Sequence, residues 1–471
     1  MVQRICIVGG GISGLSAAWA LHQHSDQFDI QVLEKEDRLG GNAITVDVPQ
    51  RTGRSIPVDI SVTACVVVAY PNYTELLRRY DVEMIPTRFS YSVHYGDGVY
   101  AHDFDSALRV DLRGDIKRFR ALLRFLGRFN TLNAQPSVLL TSINPFNYVS
   151  MGRMLNLWRV SDDFRVKALK PLFVNFVLAT SMFDMPASMF SRYLDFFDIE
   201  HSTPMTTWHG GTRVIIDRMT ADFRDRIHLG RAVSRIVRDR RGVTVHDIAG
   251  REERFDQVIL SCNANHALGM LANPSIAERH VLGRVRYESS VHGSAVVHTD
   301  RSVLPDDDTK LSETRSTFVR HYGDRRDNYE VTYIMHNQQP WAKRSDRPCL
   351  VTYNPARPIE PDKVLTRVRF QHVVHDVFHT TVLLNIFPFL QGRRRTWYCG
   401  AHTAINSQEH CFLSGLAVAR QLGADYPFSD NYEATRWFNF YGRLMHGPRF
   451  RCATFPRGSR HTVTRDDGSA R

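Results

Sequence analysis

The chain has 471 residues, 43% of them hydrophobic and 23% charged, which excludes a disordered, collagen-like or coiled-coil molecule. Lysine and arginine number 60 against 49 acids, a net charge of +11 that favours anionic partners. The basic residues are scattered rather than gathered on one stripe, so no nucleic-acid partner is expected. Seven cysteines (Cys6, Cys65, Cys262, Cys349, Cys399, Cys411 and Cys452) stand far apart with no C-x-x-C pair. That spacing predicts reduced thiols and a cytoplasmic location. The longest apolar stretches, around Pro171–Phe183 and Thr380–Leu390, fall short of the roughly 20 residues a membrane span requires.

Ile5-Cys6-Ile7-Val8 is an apolar run of the kind a doubly covered parallel strand needs. Gly9-Gly10-Gly11-Ile12-Ser13-Gly14 follows directly, then a helical stretch from Leu15 to His22. In such a turn Gly9 makes the tight bend, Gly11 lets backbone approach a pyrophosphate, and Gly14 permits close packing of helix on strand. The helix start, with Ser13 in its first turn, offers free N–H groups to the phosphates. A second strand, Asp29–Leu33, ends at Glu34, placed to accept hydrogen bonds from an adenosine ribose and to repel a 2′-phosphate.

Glu34-Lys35-Glu36-Asp37-Arg38-Leu39-Gly40-Gly41-Asn42 continues toward Val46-Asp47-Val48. Here the chain resembles the flavin-containing amine oxidase and phytoene desaturase superfamily, in which an acid and an R-x-G-G turn form a second FAD-binding element. The resemblance implies cofactor contacts at Arg38, Gly41 and Asn42, although Asn42 stands where relatives commonly carry Arg or His. His298-Thr299-Asp300, Tyr333-Ile334-Met335-His336-Asn337 and Val351-Thr352-Tyr353-Asn354-Pro355 are similar to one subgroup, the predicted NAD/FAD-binding flavoproteins found beside cyclopropane fatty acid synthases.

Between these ends, a helix is expected near Leu76–Tyr80 and a strand and turn over Ser90–Tyr100. From Asp111 to Phe129 a helix is predicted, with Arg113, Lys117, Arg120, Arg124 and Arg128 on one face and Ile116, Phe119, Leu122 and Leu126 on the other. Such a helix either covers a core or makes peripheral contact with an anionic membrane. Val160–Met189 reads as largely helical, and Phe255–Leu260 as one strand of a returning series that starts at Val233. By the likeness, Val233 offers its backbone to the adenine.

Thr396–Cys399 reads as a buried strand ending at Gly400, and a helix starts at Glu409. In the superfamily this strand ends under the flavin and the helix start points at its pyrimidine edge. Gly400 and the Cys411 backbone are therefore expected at the cofactor. Relatives usually place Gly near 410–411, whereas this chain has His410, Cys411 and Phe412, which narrows the room beside the flavin. His402 and Glu409 are the candidate proton-transfer groups, with a capped, hydrogen-bonded pair as the plainer alternative. His372, His375 and His379 would share one helix face, yet no metal is expected from that spacing.

The expected fold is α/β, with a Rossmann-like FAD-binding domain, discontinuous in sequence (1–62, 205–275 and 392–428), and an interleaved α+β substrate domain (63–204 and 276–391). A basic tail covers 429–471, loose from Gly458. The expected activity is an FAD-dependent oxidoreductase that dehydrogenates or desaturates an apolar, acyl or polyene-like small molecule. Flavin amine oxidation and a non-catalytic flavoprotein-like scaffold are the alternatives.

Overall fold

Gln3–Val8 (β1) lies at the centre of a five-stranded sheet, its Ile5, Cys6 and Ile7 without solvent contact. A strand flanked on both sides and covered on both faces can be apolar throughout, which is why the run carries no alternation. Helix α1 (Ile12–His22) follows, then β2 (Phe28–Leu33), β3 (Ile227–His228), β4 (Gln257–Leu260) and β5 (Thr396–Tyr398). Their order is β5-β4-β1-β2-β3, parallel throughout. The computed structural model describes residues 2–95, 98–103, 106–134, 143–177, 181–289, 295–305, 315–322, 329–403 and 405–455. The predicted loose end from Gly458 lies outside them.

A second sheet of seven strands runs in the order 364–368, 295–298, 350–353, 329–334, 317–321, 91–95, 98–101. Its pairs are antiparallel except 91–95 with 317–321. Two-stranded antiparallel ribbons, 45–49 with 55–59 and 84–89 with 203–208, complete the central part.

Helix α2 (Pro71–Arg79) starts on a proline, whose missing N–H is one the first turn cannot use. Helix α3 (Arg113–Ala134) buries Ile116, Phe119, Leu122 and Leu126 in one core with Phe164 and Tyr91. The apolar face that a membrane-lying helix would insert is thus committed to the interior. On its basic face, Arg120 is ion-paired with Glu200 and Asp198. Among the described residues, no helix is long and apolar enough to cross a membrane.

Helix α4 (Gln408–Leu422) packs against α1 so closely that a Cβ on Gly415 would stand 1.9 Å from the Ser13 carbonyl oxygen. Ser16 Oγ donates to the Phe412 carbonyl across this contact at 2.9 Å. Helix α5 (Tyr432–His446) packs on α4 and α2 and buries Ala434, Phe438 and Met445. The stretch read from its arginines as a tail is therefore folded as far as Phe455, the last described residue.

The structure revises two local expectations. Phe255–Leu260 is two strands: Glu252–Phe255 joins the antiparallel strands 233–238 and 243–247, and Gln257–Leu260 joins β1. His372, His375 and His379 do not share a helix. His372 sits on the strand Gln371–Val373, His375 in the following loop and His379 in the helical turns that begin at Val377. All seven cysteines are free thiols.

Candidate active site

The glycine loop closes onto its neighbours at each position of the motif for a different reason. Gly9 has φ +111°, and a Cβ there would meet the Ser261 carbonyl oxygen at 2.6 Å. A Cβ on Gly14 would lie 2.1 Å from the Gly9 oxygen, so helix and loop touch through backbone. At Gly11 the same atom would meet only Gly41 Cα, at 3.9 Å, and otherwise point into a cavity. The first-turn N–H groups of α1 open onto that cavity at Ile12 and Ser13.

Glu34, at the end of β2, is buried and holds the loop in place: Gly10 N–H donates to its Oε2 and Glu36 N–H to its Oε1, at 2.6 and 2.9 Å. The 38–42 turn docks on the same loop, with Gly40 N–H donating to the Gly10 carbonyl at 2.9 Å. Arg38 braces this turn through the Gly41 carbonyl at 3.0 Å while still lining the cavity. Asn42 reaches the Gln371 carbonyl at 3.4 Å.

One cavity of about 1450 Å³ joins these residues to Val233 and to Gly400, His402 and Cys411 at the β5–α4 junction. Ligand pockets for a single small molecule run at about 300–1,000 Å³, so there is room for a dinucleotide and a second molecule. The residues named from the sequence are thus brought together, with two exceptions. Gly14 lies beneath the loop, packing it. Glu409 does not reach the cavity: its oxygens accept from Asn72 N–H at 3.0 Å, Asn72 Nδ2 at 2.8 Å and Tyr73 N–H at 2.7 Å, capping the start of α2. Burial pushes Glu409 up to about 7 against those three donors.

Other bets change in detail. The Cys411 N–H is spent on the Ser407 carbonyl at 3.0 Å, so Cys411 faces the cavity with its thiol, which burial pushes up to about 11 against a hydrogen bond from Ser13. The free N–H groups of α4 are one turn earlier, beyond the Ser407 cap. The Gly400 N–H is taken by Ser414 Oγ at 2.9 Å. His402 lines the cavity with Nε2 unpartnered among the described residues, and burial lowers it to about 3, so the ring is neutral. Of the bulky segment, His410 and Cys411 line the cavity and Phe412 does not. Phe412 turns into the core against Trp19, Tyr73 and Phe428, and His410 stands edge-on to Tyr441.

The far wall was not read from the sequence. Tyr70, Tyr193, Tyr333, Trp437, Phe440 and Tyr441 line it. The signal on α5 was present: Trp437, Phe440, Tyr441 and Leu444 recur at helical spacing and all face the cavity.

A parallel sheet with a glycine loop, an acid at the end of the second strand and a cavity continuing to a second strand–helix junction defines a dinucleotide-binding oxidoreductase fold. Residues 12–423 match the family of flavin containing amine oxidoreductases, and the chain belongs to it. It is an FAD-dependent oxidoreductase. The open approach at Gly11 and the unfilled groove fit that cofactor. No curated protein matches the sequence. Among solved structures, the chain is similar to a CLA-producing fatty acid isomerase from P. acnes, at 16% identity and TM-score 0.61 over 89% of this chain and 98% of that one. It is similar to cyclohexylamine oxidase from Brevibacterium oxydans, at 15% identity and TM-score 0.60 over 90% and 100%. Putrescine oxidase bound to putrescine gives 14% and 0.60 over 90% and 99%. At these identities the likeness is one of fold.

Proposed function

We propose that the enzyme dehydrogenates or desaturates a largely apolar small molecule, acyl or polyene-like. The observation that carries this reading is the aromatic far wall: within the described lining, the carboxylates are Glu34 and Glu36, both at the nucleotide end. Bound FAD supplies a hydride acceptor at flavin N5. The protein then has to hold a C–H carbon in line and keep water out, which the side chains of Tyr70, Phe440 and Tyr441 support by covering an apolar substrate. His402 is the candidate group for the accompanying proton. It lines the cavity as a neutral ring and brings no charge to an apolar substrate. Gly9, Gly11, Ser13, Glu34, Arg38, Gly41, Asn42, Val233, Gly400 and Cys411 are the proposed cofactor contacts, with Gly14 supporting the loop from below.

Amine oxidation is the second reading, favoured by the tyrosine faces, which attract ammonium groups. Arginines on the same wall and the lack of a carboxylate among its described residues oppose it. The test is anaerobic mixing of the purified, FAD-loaded protein with a panel of unsaturated acids, polyenes and amines, followed by bleaching of the flavin absorption. Bleaching by the apolar compounds supports the proposal. Bleaching by amines alone, with peroxide released in air, replaces it with the second reading.

A further inference from the structure

Arg192, on the helix Ala187–Tyr193, lines the cavity with a guanidinium that makes no hydrogen bond or ion pair among the described residues. Asp195, three residues on, is acted on by its charge without pairing to it. A guanidinium carries five donors and no acceptor, so a cavity-facing one left alone is a site in want of an anion. Two more polar groups beside it are buried and unpartnered: the Tyr193 hydroxyl and His410 Nε2. All three line the same cavity as Tyr441, whose ring centroid lies 4.3 Å from that of His410. Ser407 Oγ lies 2.5 Å from His410 Nδ1. A hydroxyl donating there leaves the proton of the neutral ring on Nε2.

We propose that Arg192, Tyr193 and His410 form the anchor for a carboxylate, and that the substrate is an apolar molecule bearing one acid group. This rests on the reading of the cavity as the substrate site of an oxidoreductase. Buried donors with no acceptor cost stability until something accepts from them, and a carboxylate has two oxygens for the guanidinium fork and lone pairs to spare. One guanidinium balances one negative charge; a phosphate monoester carries nearly two at neutral pH and would leave charge uncompensated against an aromatic wall. An ammonium would meet a like charge.

The test titrates FAD-loaded protein with oleate, methyl oleate and oleylamine below their aggregation limits and follows the shift of the flavin spectrum. Oleate is expected to bind about tenfold or more tighter than its methyl ester. Arg192→Leu should remove that preference and leave the ester affinity unchanged, Arg192→Lys should keep part of it, and Tyr193→Phe should weaken oleate by a smaller factor. Equal binding of acid and ester by the wild type, or an Arg192→Leu protein that still prefers the acid, overturns the anchor. So does displacement of FAD by oleate, which would assign these donors to the cofactor. Where Arg192→Leu does not fold, an unchanged acid-to-ester ratio in both Arg192→Lys and Tyr193→Phe overturns it equally. Equal binding of acid and ester, with flavin reduction by both, keeps the oxidoreductase proposal and sinks the anchor. Acid-selective binding without reduction by any compound does the reverse.

Discussion

The two ends of the cavity are walled by different materials. At the nucleotide end the wall is built around main chain: Gly9, Gly11, Gly40 and Gly41 bring two loops within van der Waals contact, and one carboxylate, Glu34, ties them. At the substrate end the wall is side chains, from Tyr70 on one segment to Tyr441 on another nearly the whole chain away. A backbone wall leaves nothing to trim, so a change there either fits or blocks. A side-chain wall is graded, each ring adding its share of buried area.

The sharpest break between the ends is Gly11→Trp. A Cβ there enters open cavity, so the indole would occupy the phosphate approach without disturbing β1. FAD uptake is expected to be abolished, with far-UV circular dichroism unchanged. A variant that copurifies with full flavin would mean the cofactor does not cross this loop.

Behind the cofactor end, Arg238 and Glu278 are an ion pair buried from solvent. Glu278 also accepts from Tyr398 Oη at 2.8 Å and from Ser275 N–H at 2.6 Å, so three elements meet on one carboxylate. Burial pushes Glu278 up, but the Arg238, Ser275 and Tyr398 hydrogen bonds outweigh it and bring the group down to about 2. Glu278→Gln strands a buried guanidinium and should cost about 3–5 kcal/mol in denaturant unfolding. Because the folded value is depressed, the stabilisation is present above the ordinary carboxylate range and fades as pH falls toward 2. The variant should lose that part of the acid dependence.

Glu409 supplies the opposite sign. Its value is raised to about 7, so between about pH 4.5 and 7 the unfolded chain has released a proton the native state still holds. Stability therefore falls as pH rises through that window, by a few kcal/mol at the order of magnitude, and is level above it. Glu409→Gln should flatten this slope while leaving flavin reduction unimpaired. A large loss of turnover with unchanged FAD occupancy would return Glu409 to the chemistry.

What the sequence made legible follows the same division. Glycine spacing, the Glu34 carboxylate and the β5–α4 return are short-range patterns whose meaning depends on backbone geometry, and they converge on one groove. Glu409 misled because a helix-start acid beside a candidate cofactor site looks alike whether its carboxylate faces the groove or caps the neighbouring α2. The 410–412 bulk misled in part because side-chain size was visible and side-chain direction was not: only Phe412 points into the core, while His410 and Cys411 line the cavity. The histidine triple failed because the helix it presumed is a strand, a loop and a turn. Arg192, Tyr193 and Tyr441 could not be assembled from the sequence, since they lie far apart in the chain and meet only as lining of one cavity.

The smallest expected effect tests the graded wall itself. Trp437 lines the cavity on α5, packed against Tyr441 at 5.7 Å and near His410 at 6.1 Å between ring centroids. Helix α5 keeps its place through Ala434, Phe438 and Met445 on its other face, so Trp437→Ala removes wall without removing the helix. FAD occupancy should stay at the wild-type level. For whichever compound bleaches the flavin, the dissociation constant should rise about tenfold, equivalent to ~1.4 kcal/mol, with the limiting rate of bleaching changed less. An equal fall in the limiting rate would mean that this ring orients the reacting carbon rather than merely covering the substrate. Loss of FAD would mean that α5 belongs to the cofactor end, and the division between backbone wall and side-chain wall would have to be redrawn.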